Sequence, residues 1–149
     1  MSVMKGLSRE EQGAVALEFL ILFPFIVAML YGAAVYGLTF FAQYRMQDAV
    51  DTAVVTALYI DRSEQESGSL ATAVTQRAND ALAGLADRLP GNLNALCALE
   101  TVGGIEMLHC NLVYPDYQSN PIVPALDFGM LGRFPPLPAR LNVDARAAF

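Results

Sequence analysis

From Ala14 to Ala42 the chain carries one formal charge, Glu18, among residues that are mostly Ala, Val, Leu, Ile, Phe, Met and Tyr. A helix rises about 1.5 Å per residue, so this run exceeds the roughly 20 residues that cross the hydrocarbon core of a bilayer. The stretch is therefore read as a membrane span. Composition supports that reading: 54% of the chain is apolar and only 16% charged, where a soluble domain carries about 25% charged residues. The apolar excess is concentrated in this run, and the 149 residues leave room for one modest domain beside it.

Residues 1–13 are short and polar, with Lys5 and Arg9 offset by Glu10 and Glu11. A secretory signal would have an apolar region of about 7–15 residues ending at a small-residue site. Here the apolar run is longer, and Gly37 to Tyr44 continues it without such a site. The segment is expected to persist as an anchor. Lys5, Arg9 and the terminal amine, set against Arg45 and Arg62, place the N-terminus in the cytoplasm by a narrow margin. The net charge of −6 and the scattering of the nine Lys and Arg residues exclude a nucleic-acid partner from expectation.

A carboxylate just inside a membrane span needs a reason, because a charge at the centre of a span costs roughly 2.5–3.5 kcal/mol. Two readings stand. Glu18 snorkels to the interface or is protonated, or it meets a cation within a membrane assembly. The residues around it bear on the choice. Gly13, four apolar residues and then Glu18-Phe19 resemble the prepilin-peptidase site of type IV pilins, in the short form of tight-adherence (Tad) pilus systems. With Pro24, Tyr31-Gly32 and Gln47-Asp48-Ala49, the stretch from about residue 13 to 57 resembles the TadE-like pseudopilins. The pattern departs from the family at its end. Where the family carries Arg in an Ala-rich stretch, this chain reads Ala49-Val-Asp-Thr-Ala53-Val-Val-Thr-Ala57.

The resemblance implies a membrane-embedded aspartyl prepilin peptidase that cuts between Gly13 and Ala14. Glycine suits an extended backbone in a protease cleft because it has no side chain. The cut removes two basic and two acidic side chains and creates an α-amine on Ala14. That amine and Glu18 form a complementary pair, which sets the register between neighbouring subunits.

Pro24 removes the hydrogen bond to the carbonyl of Leu20 and predicts a kink. Ala28 with Gly32 and Ala33 with Gly37 form two small-xxx-small pairs that permit close helix approach in lipid, or are the ordinary glycine content of a membrane helix. Beyond Ala42, Met46, Val50, Ala53, Ala57 and Ile60 recur at steps of four and three, so one helix is expected from about 14 to 60. Asp61-Arg62-Ser63 is expected to end it and Ser67-Gly68-Ser69 to form a linker. A second helix follows from about Leu70 to Leu89, with Leu70, Val74, Ala78, Leu82 and Leu85 as its buried face and Pro90-Gly91 as its stop.

From Leu93 to Tyr114, two apolar-rich runs flank Gly103-Gly104, a two-residue hairpin signal. If Val102 and Ile105 close the turn, Cys97 faces Cys110 in a non-hydrogen-bonded pair, with Cα atoms about 4.5 Å apart. That is within disulfide range. Leu99 with Leu108 and Ala95 with Leu112 share the face, which is read as core, and His109 lies on the opposite one. Two buried thiols are the competing reading; a metal site would need more ligands than two Cys and His109. A disulfide implies an oxidising compartment, here the periplasm. The proline-rich tail from Pro115 to Pro138 reads as loops with edge segments. Ala139 to Ala145 alternates as a closing strand without a readable partner.

The expected fold is thus α+β and pilin-like: a long spine helix, a second amphipathic helix, and a small antiparallel sheet with a disulfide-linked hairpin. Its expected parts are a leader (1–13), a transmembrane helix (14–42), an extension of that helix (43–62) and a periplasmic head (63–149). No catalytic constellation, metal cluster or cofactor motif is present in the sequence, so neither enzyme activity nor a cofactor is expected. The function implied by the resemblance is that of a minor pilin or pseudopilin that primes or tips a Tad-type pilus for surface adherence. Its partners would be other pseudopilins and pilin subunits, the prepilin peptidase, the inner-membrane assembly platform and the lipid bilayer. It would sit in the bacterial inner membrane with the option of incorporation into the pilus. The alternative is an unprocessed, single-pass periplasmic scaffold or sensor of the same machinery.

Overall fold

A computed structural model describes the protein over residues 8–60 and 67–148. The apolar run and its amphipathic continuation form one helix, α1 (Ser8–Leu58), which passes through Pro24 without interruption. The expected terminator Asp61-Arg62-Ser63 lies outside the described residues. The second helix, α2 (Ser67–Ala86), starts earlier than expected. Ser67-Gly68-Ser69 is its first turn and not a linker. The first N–H groups of any helix lack intrahelical partners, so Gly and Ser are cheap there. At the other end α2 stops before Leu89, and Asp87, Arg88 and Leu89 close it with turn hydrogen bonds back to Ala83, Leu85 and Ala86.

The two helices meet through the expected stripes. Met46, Val50, Ala53 and Ala57 on α1 are buried with Val74, Ala78 and Leu82 on α2; Leu70, Leu85 and Ile60 pack at the margin. Alanine at the contact brings helix axes close, because side-chain size sets the separation.

Three antiparallel strands cover this pair in the order β1-β2-β5, where β1 is Asn94–Val102, β2 Ile105–Tyr114 and β5 Leu141–Ala148. The hairpin register is the expected one, from Val102↔Ile105 through Cys97↔Cys110 to Asn94↔Val113. Gly103 and Gly104 both have positive φ, 62° and 83°, which a tight hairpin turn demands at both central positions. The closing strand finds its partner in β2, with Tyr114↔Leu141 and Cys110↔Ala145. Leu108, Cys110, Leu112, Leu141 and Val143 point into the core. Full burial of a Leu is worth about 1.5–3 kcal/mol, so Leu108 and Leu112 are major fasteners of the sheet.

On β1 only Cys97 is buried; Leu99 and Ala95, expected in the core, are exposed. The reason is position: β1 is an edge strand, and only its middle lies beneath α2. Both sheet edges are blunted by a helix carboxamide. Asn79 of α2 accepts a hydrogen bond from the Cys97 N–H and donates to the Cys97 carbonyl, both at 2.9 Å. Gln47 of α1 donates to the Asp144 carbonyl at 3.2 Å. Cys97 and Asp144 occupy non-hydrogen-bonded pairs, so their backbone groups point outward and would otherwise be open to another strand.

A loop region from Tyr114 to Leu141 contains a second, two-stranded sheet, β3 (Leu126–Asp127) with β4 (Arg133–Phe134), joined across a 3-10 turn at Gly129–Leu131. This region packs on α1 between Tyr31 and Thr39, inside the stretch expected to lie in the membrane. Tyr31 donates through its hydroxyl to the Pro124 carbonyl, and Tyr36 donates to the Pro136 carbonyl at 3.0 Å. Thr39 Oγ1 donates to the Val35 carbonyl at 2.9 Å and lies 2.8 Å from the hydroxyl of buried Tyr117. The buried stripe of α1 therefore continues below Met46 through Thr39, Val35 and Gly32.

Candidate functional site

The N-terminal half of α1 is the candidate site, and its local structure follows from composition. Ala, Leu, Ile, Phe and Met on all sides give the helix no preferred face, so a head on one side cannot cover all of it. The described side chains from Val15 to Val27 are exposed on the protein alone, and so are Met29 and Leu30. This single helix, long and apolar at the N-terminal end, fits a single-pass membrane anchor.

Glu18 stands in that surface, exposed, and makes no ion pair or hydrogen bond among the described residues. Phe19 beside it is exposed as well and stacks at a tilt on Phe23, with ring centroids 5.5 Å apart. Gly13 and Ala14 are part of α1, which begins five residues before Gly13. The bond between them is thus held in helical backbone, and a protease that binds an extended chain must unwind it. Glycine eases that step, being less favourable in a helix interior than Ala by roughly 0.5–1 kcal/mol.

The two small-residue pairs end up in different surroundings. Gly32 is buried beneath the Phe134 ring: a Cβ placed on it would lie 3.4 Å from the ring. That face of α1 is occupied by the protein's own head. Ala33 and Gly37 are exposed, and a Cβ on Gly37 would meet nothing within 4 Å. Ala28, one turn below Gly32, is half-buried. Pro24 sits between these pairs and the Glu18 turn, inside the helix.

Cys97 and Cys110 form the disulfide, with Cα atoms 4.0 Å apart and both residues buried. His109 lies on the outer sheet face, 3.6 Å from Glu100 and 3.5 Å from Asp144, and Arg146 stands 3.5 Å from Glu100. The disulfide and this polar cluster occupy opposite faces of the sheet, and both belong to the head, away from the Glu18 turn.

Sequence reasoning missed the contact surface between α1 and the loops. The signal was present in Thr39, the most polar residue between Glu18 and Gln43, and in Tyr31 and Tyr36. Three hydroxyls inside an apolar run each need a partner when covered. Each finds one on the loop region.

Comparison with known proteins places the segment. No curated protein and no solved structure matches the chain. Residues 13–54 match the family described as TadE-like protein. The match starts at Gly13 and runs through Glu18, Pro24 and the upper stripe of α1, while the head lies beyond it. Over residues 13–54, which is less than a third of its length, the chain is similar to the TadE-like proteins.

Proposed function

We propose that the protein is a minor pilin or pseudopilin of a Tad-type pilus, cut by a prepilin peptidase after Gly13 and assembled through α1. The observation that carries this reading is the unpartnered Glu18 on a wholly apolar helix surface. In lipid such a carboxylate is penalised until a cation meets it. The amine freed on Ala14 is a cation of the right kind, four residues away in sequence. On a straight helix four residues span about 6 Å, so a neighbouring subunit offset by that distance along α1 brings its amine level with Glu18. Cleavage then converts a stored membrane protein into one that associates in a fixed register. The head, with its disulfide and its own core, faces the periplasm, and the role is structural, without catalysis or cofactor.

The rival reading is a permanently anchored scaffold or sensor of the same machinery. It draws on the unbroken helical backbone through Gly13, which a protease has to open. Two measurements on the membrane-extracted protein separate the readings. N-terminal sequencing that begins at Ala14 supports the pseudopilin, and an uncut chain in cells with an active peptidase supports the anchor. Glu18→Ala should insert and fold normally yet fail to enter pili; normal piliation in that variant sinks the proposed role of Glu18.

A further inference from the structure

We infer that the β3–β4 hairpin is a second membrane-contacting element, whose tip rests in the lipid interface beside α1. The inference rests on α1 crossing a bilayer and on nothing about the pilus. Its starting point is the overlap between head and span. About 20 helical residues fill the hydrocarbon core. Counted from Ala14, the twentieth residue is Ala33. Gly32, under the Phe134 ring, is at that level, and Tyr31 is bonded to the Pro124 carbonyl there. The loop region therefore reaches the edge of the hydrocarbon, and the hairpin that ends in Phe134 is the part that lies there.

The chemistry of the hairpin suits such a place. Leu126 and Phe128 are about half exposed and Met130 completely so. Large apolar side chains turned outward at a loop tip are out of place in water. Three of the tip's backbone N–H groups, by contrast, are turned inward. Phe128 donates its N–H to the Gly132 carbonyl at 2.9 Å, and Gly132 donates to the Gly129 carbonyl at 3.0 Å. Gly129 donates to Asp127 Oδ1 at 2.9 Å. Backbone N–H groups satisfied in this way are what a medium poor in hydrogen-bonding partners demands. Asp127 and Arg133, 3.7 Å apart, pair next to the tip, while Leu126 and Phe134 close the hairpin's base against α1. Apolar side chains at the tip beside a charged pair suit the lipid interface, where the hydrocarbon edge and the headgroups meet.

The chain has no Trp, so a single introduced Trp reports its own surroundings. Full-length Phe128→Trp, Phe19→Trp and Ile105→Trp are each reconstituted in phosphatidylcholine vesicles, with and without acyl chains brominated to quench indole. Phe19 lies in the apolar part of α1, and Ile105 is exposed at the end of β2 farthest from Tyr114. Phe128→Trp is expected to emit blue-shifted and to lose most of its emission in brominated vesicles, as Phe19→Trp does, while Ile105→Trp keeps its emission. Met130→Trp, at a fully exposed position, should repeat the result and guards against misfolding of the first variant. Phe128→Trp emission that matches Ile105→Trp while Phe19→Trp is quenched overturns the proposal and leaves the anchor standing. Loss of quenching at Phe19 as well overturns the anchor and the proposal with it. A blue shift without bromine quenching that grows with protein density assigns the tip to a second copy of the chain, and overturns lipid as the occupant.

Discussion

Reduction of the Cys97–Cys110 bridge should destabilise the head almost wholly through its unfolded state. The two positions are 13 apart in sequence, and closing a loop of that length removes chain entropy worth about 3 kcal/mol at room temperature. The folded state loses little on reduction. Both sulfurs stay in a site already closed to solvent, and Cys97 keeps its two bonds to Asn79 and its place in the hairpin register. For a unit of head size, each kcal/mol moves the midpoint by several degrees, so the reduced protein should melt on the order of 10–20 °C lower. Thermal scans of the full chain in detergent, followed by near-ultraviolet circular dichroism with and without dithiothreitol, measure this. The double variant Cys97→Ala/Cys110→Ala should fall further, since it also empties two buried sulfur sites at about 1 kcal/mol each. Coincident melting of reduced and oxidised protein refutes the argument, because it would mean that the unfolded hairpin is already closed without the bridge.

Gly91→Ala should cost more than about 3 kcal/mol. Its φ is 103°, and a Cβ there would sit 2.5 Å from the Tyr114 ring, which is held by a 2.7 Å bond from its hydroxyl to the Asn120 carbonyl. Gly103→Ala is the matched control, with φ of 62° and open space around it, and should cost only about 1–2 kcal/mol in the same melt. Asn79→Ala removes both partners of the Cys97 backbone, a loss of about 1–3 kcal/mol. It also opens the β1 edge, so size-exclusion chromatography should show more self-association than in the parent.

The hairpin was legible because its logic is local. Two glycines demand one turn, the turn sets the pairing, and the pairing brings two cysteines together without reference to the rest of the chain. The stripe on α1 above Ala42 was legible for a similar reason, since Met46, Val50, Ala53 and Ala57 stand out against polar neighbours such as Asp48, Asp51 and Thr52. Below Ala42 the same stripe continues as Thr39, Val35 and Gly32, but there the surrounding residues are apolar too. Periodicity has no contrast to detect in such a run. The exposure of Leu99 was hidden because edge and centre strands share the alternation of period two, and only the strand order decides which of them is covered. The start of α2 was misplaced for another reason: Ser and Gly serve equally well in a linker and in a first helical turn.

Continuation of the stripe ties head and helix into one body and limits how the helix can be approached. Gly32 and Glu18 are 14 residues apart, and at 3.6 residues per turn this leaves them about 40° apart around α1. Glu18 thus faces nearly the same side as the head, about 21 Å lower along the helix. A helix running straight up that side would strike Phe134 over Gly32. Ala33 and Gly37, the pair left open, face about 100–140° away from Gly32. On the proposed reading, a neighbour that meets Glu18 with its freed amine and also uses the open pair has to cross α1 obliquely. The head then acts as a steric guide: it leaves Glu18 accessible from below, closes the side above it, and leaves the small-residue surface to receive the next helix.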